Sequence, residues 1–337
     1  MIRLAIVGLR HPHIDTIIDE ALLRTDVELV AIAEADDAIR TEYASRLDVP
    51  AFANYRDLFD STAVEVVGVG AINAHRGRIV ADALSAGLHV IADKPLCTTL
   101  ADLDLIAAAA RSSDHLLSVA FEKRFYPPTL AVERILADGE LGDLAIVAAS
   151  APHKLTRVRR PAWMFDRTLY GGIVNDLAVH DIDLFLHFTG ARRGRLRSFT
   201  ANRANADRPD FQDTGVVALQ ADDGPSATFE VHWMSPEAAA YHGDYRMRLV
   251  GTKGTAELAW KDDTLTVATH DRPPRQEPMP PRLRPAQDFF DALLADRPAT
   301  VTAAAAVDAT RLALRAQYSA DHDTEVAWDL TERLQGD

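Results

Sequence analysis

Between residues 2 and 121, short apolar runs alternate with stretches of helical periodicity, and this alternation constrains the fold more than any other feature of the chain. The runs RLAIVG, ELVAIAE, AFAN, EVVGVG, HVIAD and LLSVAF are almost continuously apolar, as strands covered by helices on both faces must be. Strands separated by helix-length segments pair in parallel through crossovers, so a doubly wound α/β sheet is expected. After residue 122 the pattern changes. LAIVAASA, LRSFTANR, GVVALQA, SATFEVHW, YRMRLVG, TAELAW and TLTVAT follow one another across turns such as DDG, which predicts a large, mostly antiparallel sheet. Helical stretches are expected at GGIVNDLAVHDIDLFLHF, AQDFFDALLAD and AAAAVDATRLALRAQYSA, and the Pro-rich DRPPRQEPMPPRLRP reads as a surface connection. The expected organisation is an α/β domain over 1–122 and an α+β domain with an open-faced sheet over 123–337.

At 337 residues the chain has room for two cores. Its net charge of -14 argues against a nucleic-acid partner, whose phosphates are met by clustered cations. The Arg-rich patch from Arg157 to Arg160 reads as a solvated loop. A lone cysteine, Cys97, excludes an internal disulfide and reads as a small packed residue. No run approaches a membrane span and no leader pattern opens the chain, so a cytoplasmic protein with no membrane partner is expected.

The first strand runs into Gly8, Leu9, Arg10, His11, Pro12 and His13 before a helix pattern, where a dinucleotide-binding fold places its GxGxxG turn. Only the first glycine is kept; Arg10 and His13 stand at the other two positions. What remains is a helix N-terminus that can offer N–H groups to an anion. Glu34 ends the second strand about twenty residues later, where a carboxylate binds both ribose hydroxyls, and Ala35 brings no cation for a 2′-phosphate. NAD is therefore expected rather than NADP. His11 and His13 have no Cys or Asp beside them at ligand spacing, and no metal is expected.

Lysine is scarce: only Lys94, Lys123, Lys154, Lys253 and Lys261 stand among many arginines. Arginine cannot give up a proton in a protein, whereas a partly buried lysine can. Lys94 follows the strand HVIA within Asp93-Lys94-Pro95, at the carboxyl edge of the sheet where open α/β sheets bind ligands. Further on, Asp176 and His180 lie four residues apart, on one helical face continued by Asp183, after Gly171 and Gly172, which permit close approach of a ligand. A histidine can accept an alcohol proton near neutrality while a neighbouring carboxylate orients it. His153, Lys154, Arg157, Trp163 and Asp166 precede this helix and are candidate substrate-wall residues; the ring of Trp163 suits the CH face of a sugar and equally suits a place in the core.

Together these residues resemble the Gfo/Idh/MocA family (glucose-fructose oxidoreductase, inositol dehydrogenase and MocA). The likeness rests on Asp93-Lys94-Pro95, on Gly171, Gly172, Asp176 and His180 in the pattern GGxxxDxxxH, and on ALSAGLHVIADKPL, VAFEKRFYPP, GELGDL and GTKGTAEL in family order. At the family's TPNxxH, Asn73 fits but Arg76 takes the histidine position, which weakens any claim for His75. The resemblance implies a Rossmann domain that binds NAD through Gly8, Arg10, His11, His13, Glu34, Asn73, Asp93 and Lys94. It also implies a catalytic trio of Lys94, Asp176 and His180. Together with His153 and Trp163, that trio would bind a sugar, cyclic polyol or sugar derivative. Hydride transfer at a secondary alcohol is the expected reaction; an NAD-dependent glycosidase or a non-catalytic NAD sensor would use the same fold. The open sheet face of the second domain implies a homodimer or homotetramer.

Overall fold

The computed structural model describes residues 1–61 and 63–331. It divides into two compact units. One comprises Met1–Phe121 with Arg284–Val307; the other comprises Glu122–Leu283 with residues 308–331.

In the first unit, strands β1 (Ile2–Leu9), β2 (Val27–Ala33), β3 (Ala51–Phe52), β4 (Val66–Gly70), β5 (His89–Ala92) and β6 (Leu117–Val119) correspond to the six apolar runs. They form one parallel sheet in the order β3-β2-β1-β4-β5-β6, the doubly wound order of a dinucleotide-binding fold. Helices α1 (Ile14–Leu23), α2 (Asp37–Leu47), α3 (Tyr55–Ser61), α4 (Asn73–Ser85) and α5 (Leu100–Arg111) supply the crossovers. All five residues of β4 are buried, which explains why its sequence lacks alternation. Gly8 closes β1 at φ +78°, and a Cβ there would stand 2.4 Å from the backbone of Ala71. That close approach brings the ends of β1 and β4 together.

In the second unit, β7 (Leu144–Pro152), β8 (Arg193–Ala201), β9 (Thr214–Ala221), β10 (Ser226–His232), β11 (Arg246–Gly251), β12 (Gly254–Ala259), β13 (Thr264–Thr269), β14 (Arg272–Gln276) and β15 (Val326–Asp329) make one sheet. Its order is β14-β13-β12-β11-β7-β10-β9-β8-β15, antiparallel throughout except where β7 meets β10. Burial alternates along β9 and β10, so one face packs beneath helices and the other, carrying Ile146, Val216 and Phe199, is exposed. Helices α6 (Pro127–Ala137), α7 (Arg167–Tyr170) and α8 (Val179–Thr189) belong to this unit.

Two expectations change. Part of the Pro-rich connection is the edge strand β14, where Pro273 and Pro274 are tolerated because an edge has ladder positions that need no donor. The units divide between Phe121 and Glu122, and the second does not run unbroken toward the C-terminus, because helix α9 (Pro285–Leu294) packs in the first unit. Ala286, Phe289 and Phe290 of α9 share a core with Ile14, Ile17 and Ile18 of α1. Each fully buried Phe contributes about 1.5–3 kcal/mol there. Helix α10 (Ala303–Asp321) follows. Among the described residues no helix is long and apolar enough to cross a membrane.

Candidate active site

A cleft of ≈ 580 Å³ opens at the carboxyl ends of β1, β2 and β4, lined by Gly8, Arg10, Glu34, Ile72 and Ile79 among others. Glu34 is buried at its floor. One carboxylate oxygen accepts the Leu9 N–H at 2.7 Å and the other accepts the Asp36 N–H at 3.0 Å. The carboxylate therefore fixes the glycine turn against the end of β2. Arg10 pairs with Asp36 at 2.9 Å, so its side chain leaves the turn instead of blocking it. Pro12 has no N–H, and the amides of Ile14, Asp15 and Thr16 are taken by carbonyls of the turn, whereas those of Arg10 and His13 have no protein acceptor among the described residues. Two open amides before a helix, beside a carboxylate at the end of β2 and apolar walls, are the kind of donor set a dinucleotide requires.

Beyond β5, Asp93, Lys94 and Pro95 are buried. The Asp93 carboxylate accepts the Lys94 N–H at 2.7 Å and stands 2.6 Å from His11 Nδ1, 3.4 Å from His13 Nδ1 and 3.4 Å from the Arg76 guanidinium. Arg76, fully buried, also donates to the carbonyls of Asp93 at 3.1 Å, Pro95 at 2.6 Å and Ala71 at 2.9 Å. Burial pushes the His11 imidazole down to about 4, against the pull of Asp93. Burial alone would raise Asp93, yet its cationic surroundings hold it well below the ordinary carboxylate range. His11 is uncharged at neutral pH, so the cation that compensates Asp93 there is Arg76. The fold thus brings an aspartate to His11 and His13 that their spacing does not suggest, and the three could surround a small cation. Arg76 against the same carboxylate opposes that use. Asn73 is buried at the start of α4, Cys97 is buried, and His75 lines the cleft.

In the second unit, Asp176 and His180 are both buried. Asp176 lies in a π-helical turn, Val174–Ala178, that leads into α8, where His180 is the second residue. Such turns widen the helix locally and recur at functional sites. Tyr170 donates to the Asp176 carboxylate at 2.7 Å and accepts the Trp233 indole N–H at 3.1 Å. Burial raises the Tyr170 phenol well above its ordinary value, so it remains a donor. Gly171 and Gly172 have φ of +89° and +100°, and a Cβ on Gly172 would meet the Gln317 side chain at 2.3 Å. Their need is explained by the backbone and by Gln317, which accepts the Val174 N–H at 3.0 Å. Asp183 is held by Arg124 through bonds of 2.6 and 2.8 Å, and Asp181 by Lys123 at 2.5 Å; both pairs are buried and anchor α8.

Among the expected wall residues, His153 joins Trp233, His242 and Tyr245 in an aromatic cluster with ring centroids 4.8–5.3 Å apart. Trp163 is only 4% exposed. Lys154 donates to the carbonyls of Glu237 and Ala239, Arg157 pairs with Asp207, and Asp166 caps α7 through Thr168. Sequence reasoning missed Arg160, Tyr170, Trp233, Tyr245 and Lys123. Among these, only the lysine carried a signal, its rarity.

A parallel sheet in this strand order, a carboxylate closing its first turn and a second unit with a large antiparallel sheet define an NAD-binding oxidoreductase of two-domain type. Residues 2–121 match the oxidoreductase family with an NAD-binding Rossmann fold, and residues 129–257 match the GFO/IDH/MocA C-terminal domain. The chain belongs to the Gfo/Idh/MocA family. It is 28% identical to the trans-1,2-dihydrobenzene-1,2-diol dehydrogenase of Bos taurus over 80% of this chain and 76% of that one. It shares its fold with levoglucosan dehydrogenase solved with NADH and L-sorbose (TM-score 0.83, 17% identity, covering 98% and 99% of the two chains). It also shares it with an oxidoreductase of Agrobacterium radiobacter solved with NAD+, L-tartaric acid and magnesium (TM-score 0.84, 17% identity, 98% of each chain).

Proposed function

We propose that this protein oxidises a secondary alcohol of a sugar, cyclic polyol or sugar derivative, or reduces the corresponding ketone. The observation that carries the reading is the buried Asp176 carboxylate, aimed by Tyr170 and followed one turn later by His180, in a chain whose other unit is an NAD-binding domain. NAD, when bound, supplies the hydride acceptor. Glu34 holds the adenosine ribose, and the amides of Arg10 and His13 meet the pyrophosphate. Asn73 and Asp93 lie along the same carboxyl edge, Asp93 fixing the backbone of Lys94. His180 takes the proton from the reacting hydroxyl as hydride leaves the carbon; Lys94 polarises that oxygen, and Asp176 binds a neighbouring hydroxyl and orients the base. The Bos taurus relative is named for a cyclic vicinal diol, and two structural neighbours were solved with polyhydroxy ligands, which supports this substrate class.

The exposed face of the nine-stranded sheet supports a homodimer or homotetramer, and the single cysteine supports a cytoplasmic location. The test is a screen of NAD reduction against polyols, free sugars and glycosides, with aglycone release followed in parallel. NADH formation on a member of the panel is expected. Aglycone release without NADH would replace this reading with a glycosidase. Full biological activity of a Lys94→Ala, His180→Ala double variant would replace it with a sensor.

A further inference from the structure

Arg160 follows the short 3-10 turn Arg157–Arg159 and lies across the indole of Trp233, its guanidinium carbon 4.6 Å from the ring centroid. Nε donates to the Leu155 carbonyl at 2.7 Å and one terminal nitrogen to the Lys154 carbonyl at 3.2 Å. The other terminal nitrogen faces only the Met164 sulfur, at 3.9 Å. Among the described residues, no carboxylate oxygen lies within 4.0 Å of this guanidinium. Several other arginines of this unit do meet an acid: Arg124 has Asp183, Arg157 has Asp207, Arg167 has Asp321 and Arg192 has Asp308.

Arg160 is also half-buried, and the carboxylates whose charge reaches it from beyond contact distance are Asp176 and Glu237. Its neighbours are thus the members of the Trp233–Tyr170–Asp176 chain. A guanidinium cannot shed its proton, so a half-buried one without an acid partner is costly until an anion reaches it.

We infer that Arg160 is an anion-binding residue of the substrate site and that the substrate is a polyol or sugar bearing a carboxylate. The inference rests on the reading of Asp176 and His180 given above. The available donors decide the kind of anion. Two of the three guanidinium nitrogens are already held by carbonyls, and the neighbouring Lys154 ammonium is turned onto the carbonyls of Glu237 and Ala239. One partly occupied fork suits a monoanionic carboxylate, whereas a phosphate dianion would need more donors and would bring a second charge toward Asp176.

The test measures binding, by calorimetry, to the protein saturated with NADH, so that no turnover is needed. The probes are glucose, galactose and glucitol, set against glucuronate, galacturonate and gluconate, and against the 6-phosphates of the same skeletons. The tightest-binding carboxylate is expected to exceed its neutral counterpart by about 10- to 100-fold. The preference should vanish in Arg160→Gln and survive in part in Arg160→Lys. Equal or weaker binding of every carboxylate, tighter binding of the phosphates, or a preference unchanged in Arg160→Gln would overturn the assignment. Should Arg160→Gln fail to fold, the wild-type ratios and Arg160→Lys decide it. Carboxylate binding without NADH formation from any probe in the NAD-loaded enzyme would instead count against the hydride-transfer reading and leave the anion site standing.

Discussion

Arg76 and Asp93 form a buried ion pair at the carboxyl edge of the parallel sheet, 3.4 Å apart, and the same guanidinium holds the carbonyls on either side of Lys94. The cation that departs from the family's histidine pattern is therefore the clamp on the loop that carries the lysine. Removing one partner of such a pair leaves the other charged and uncompensated. Arg76→Met is expected to cost about 3–5 kcal/mol of stability, read from urea unfolding. A loss under 1 kcal/mol would show that the pair is not holding the loop.

The same cluster sets a dependence on acid. His11 titrates at about 4 in the folded chain and near 6.5 when unfolded, so between those values the unfolded state binds the extra proton. Stability is then full above about pH 6.5 and falls as pH drops toward 4, by about 3 kcal/mol at the lower end. Asp93, also depressed, extends the loss below pH 4. Unfolding midpoints of the wild type and of His11→Gln, measured from pH 8 to pH 4, should converge toward the acid end. Parallel curves would contradict this.

Tyr170 acts through Asp176. Tyr170→Phe deletes the 2.7 Å bond to the carboxylate and leaves the Trp233 N–H without its acceptor, at a cost of about 1–3 kcal/mol. A carboxylate that loses a donor is easier to protonate. The acid limb of kcat against pH should move to higher pH and kcat should fall about tenfold or more, with the KM for NAD unchanged. A stability loss alone, with an unmoved pH profile, would make Tyr170 a packing residue.

How far the sequence reveals this molecule depends on the range of the interaction concerned. The six strands of the first unit were legible because burial on both faces leaves an unbroken apolar record, and the alternation of β9 and β10 was legible for the opposite reason. The π turn at Asp176 was not, since a four-residue spacing is nearly in phase with both α and π windings. Helix α9 was recognised as a helix, but its apolar face does not say which core it will fill, and Phe289 and Phe290 fill that of α1. His11 meets Asp93, and Tyr170 meets Trp233, across long stretches of chain that no local pattern spans.

Cooperation of Lys94 with His180 is the claim on which the proposed chemistry stands. It is tested most directly by a double-mutant cycle on kcat/KM for NADH formation, using Lys94→Ala, His180→Ala and the double variant. Groups that act on one oxygen in one transition state lose their effect together, so the double variant is expected to be about as slow as the slower single variant. Rate losses that multiply in full would mean that the lysine and the histidine serve separate steps, and would contradict a shared site.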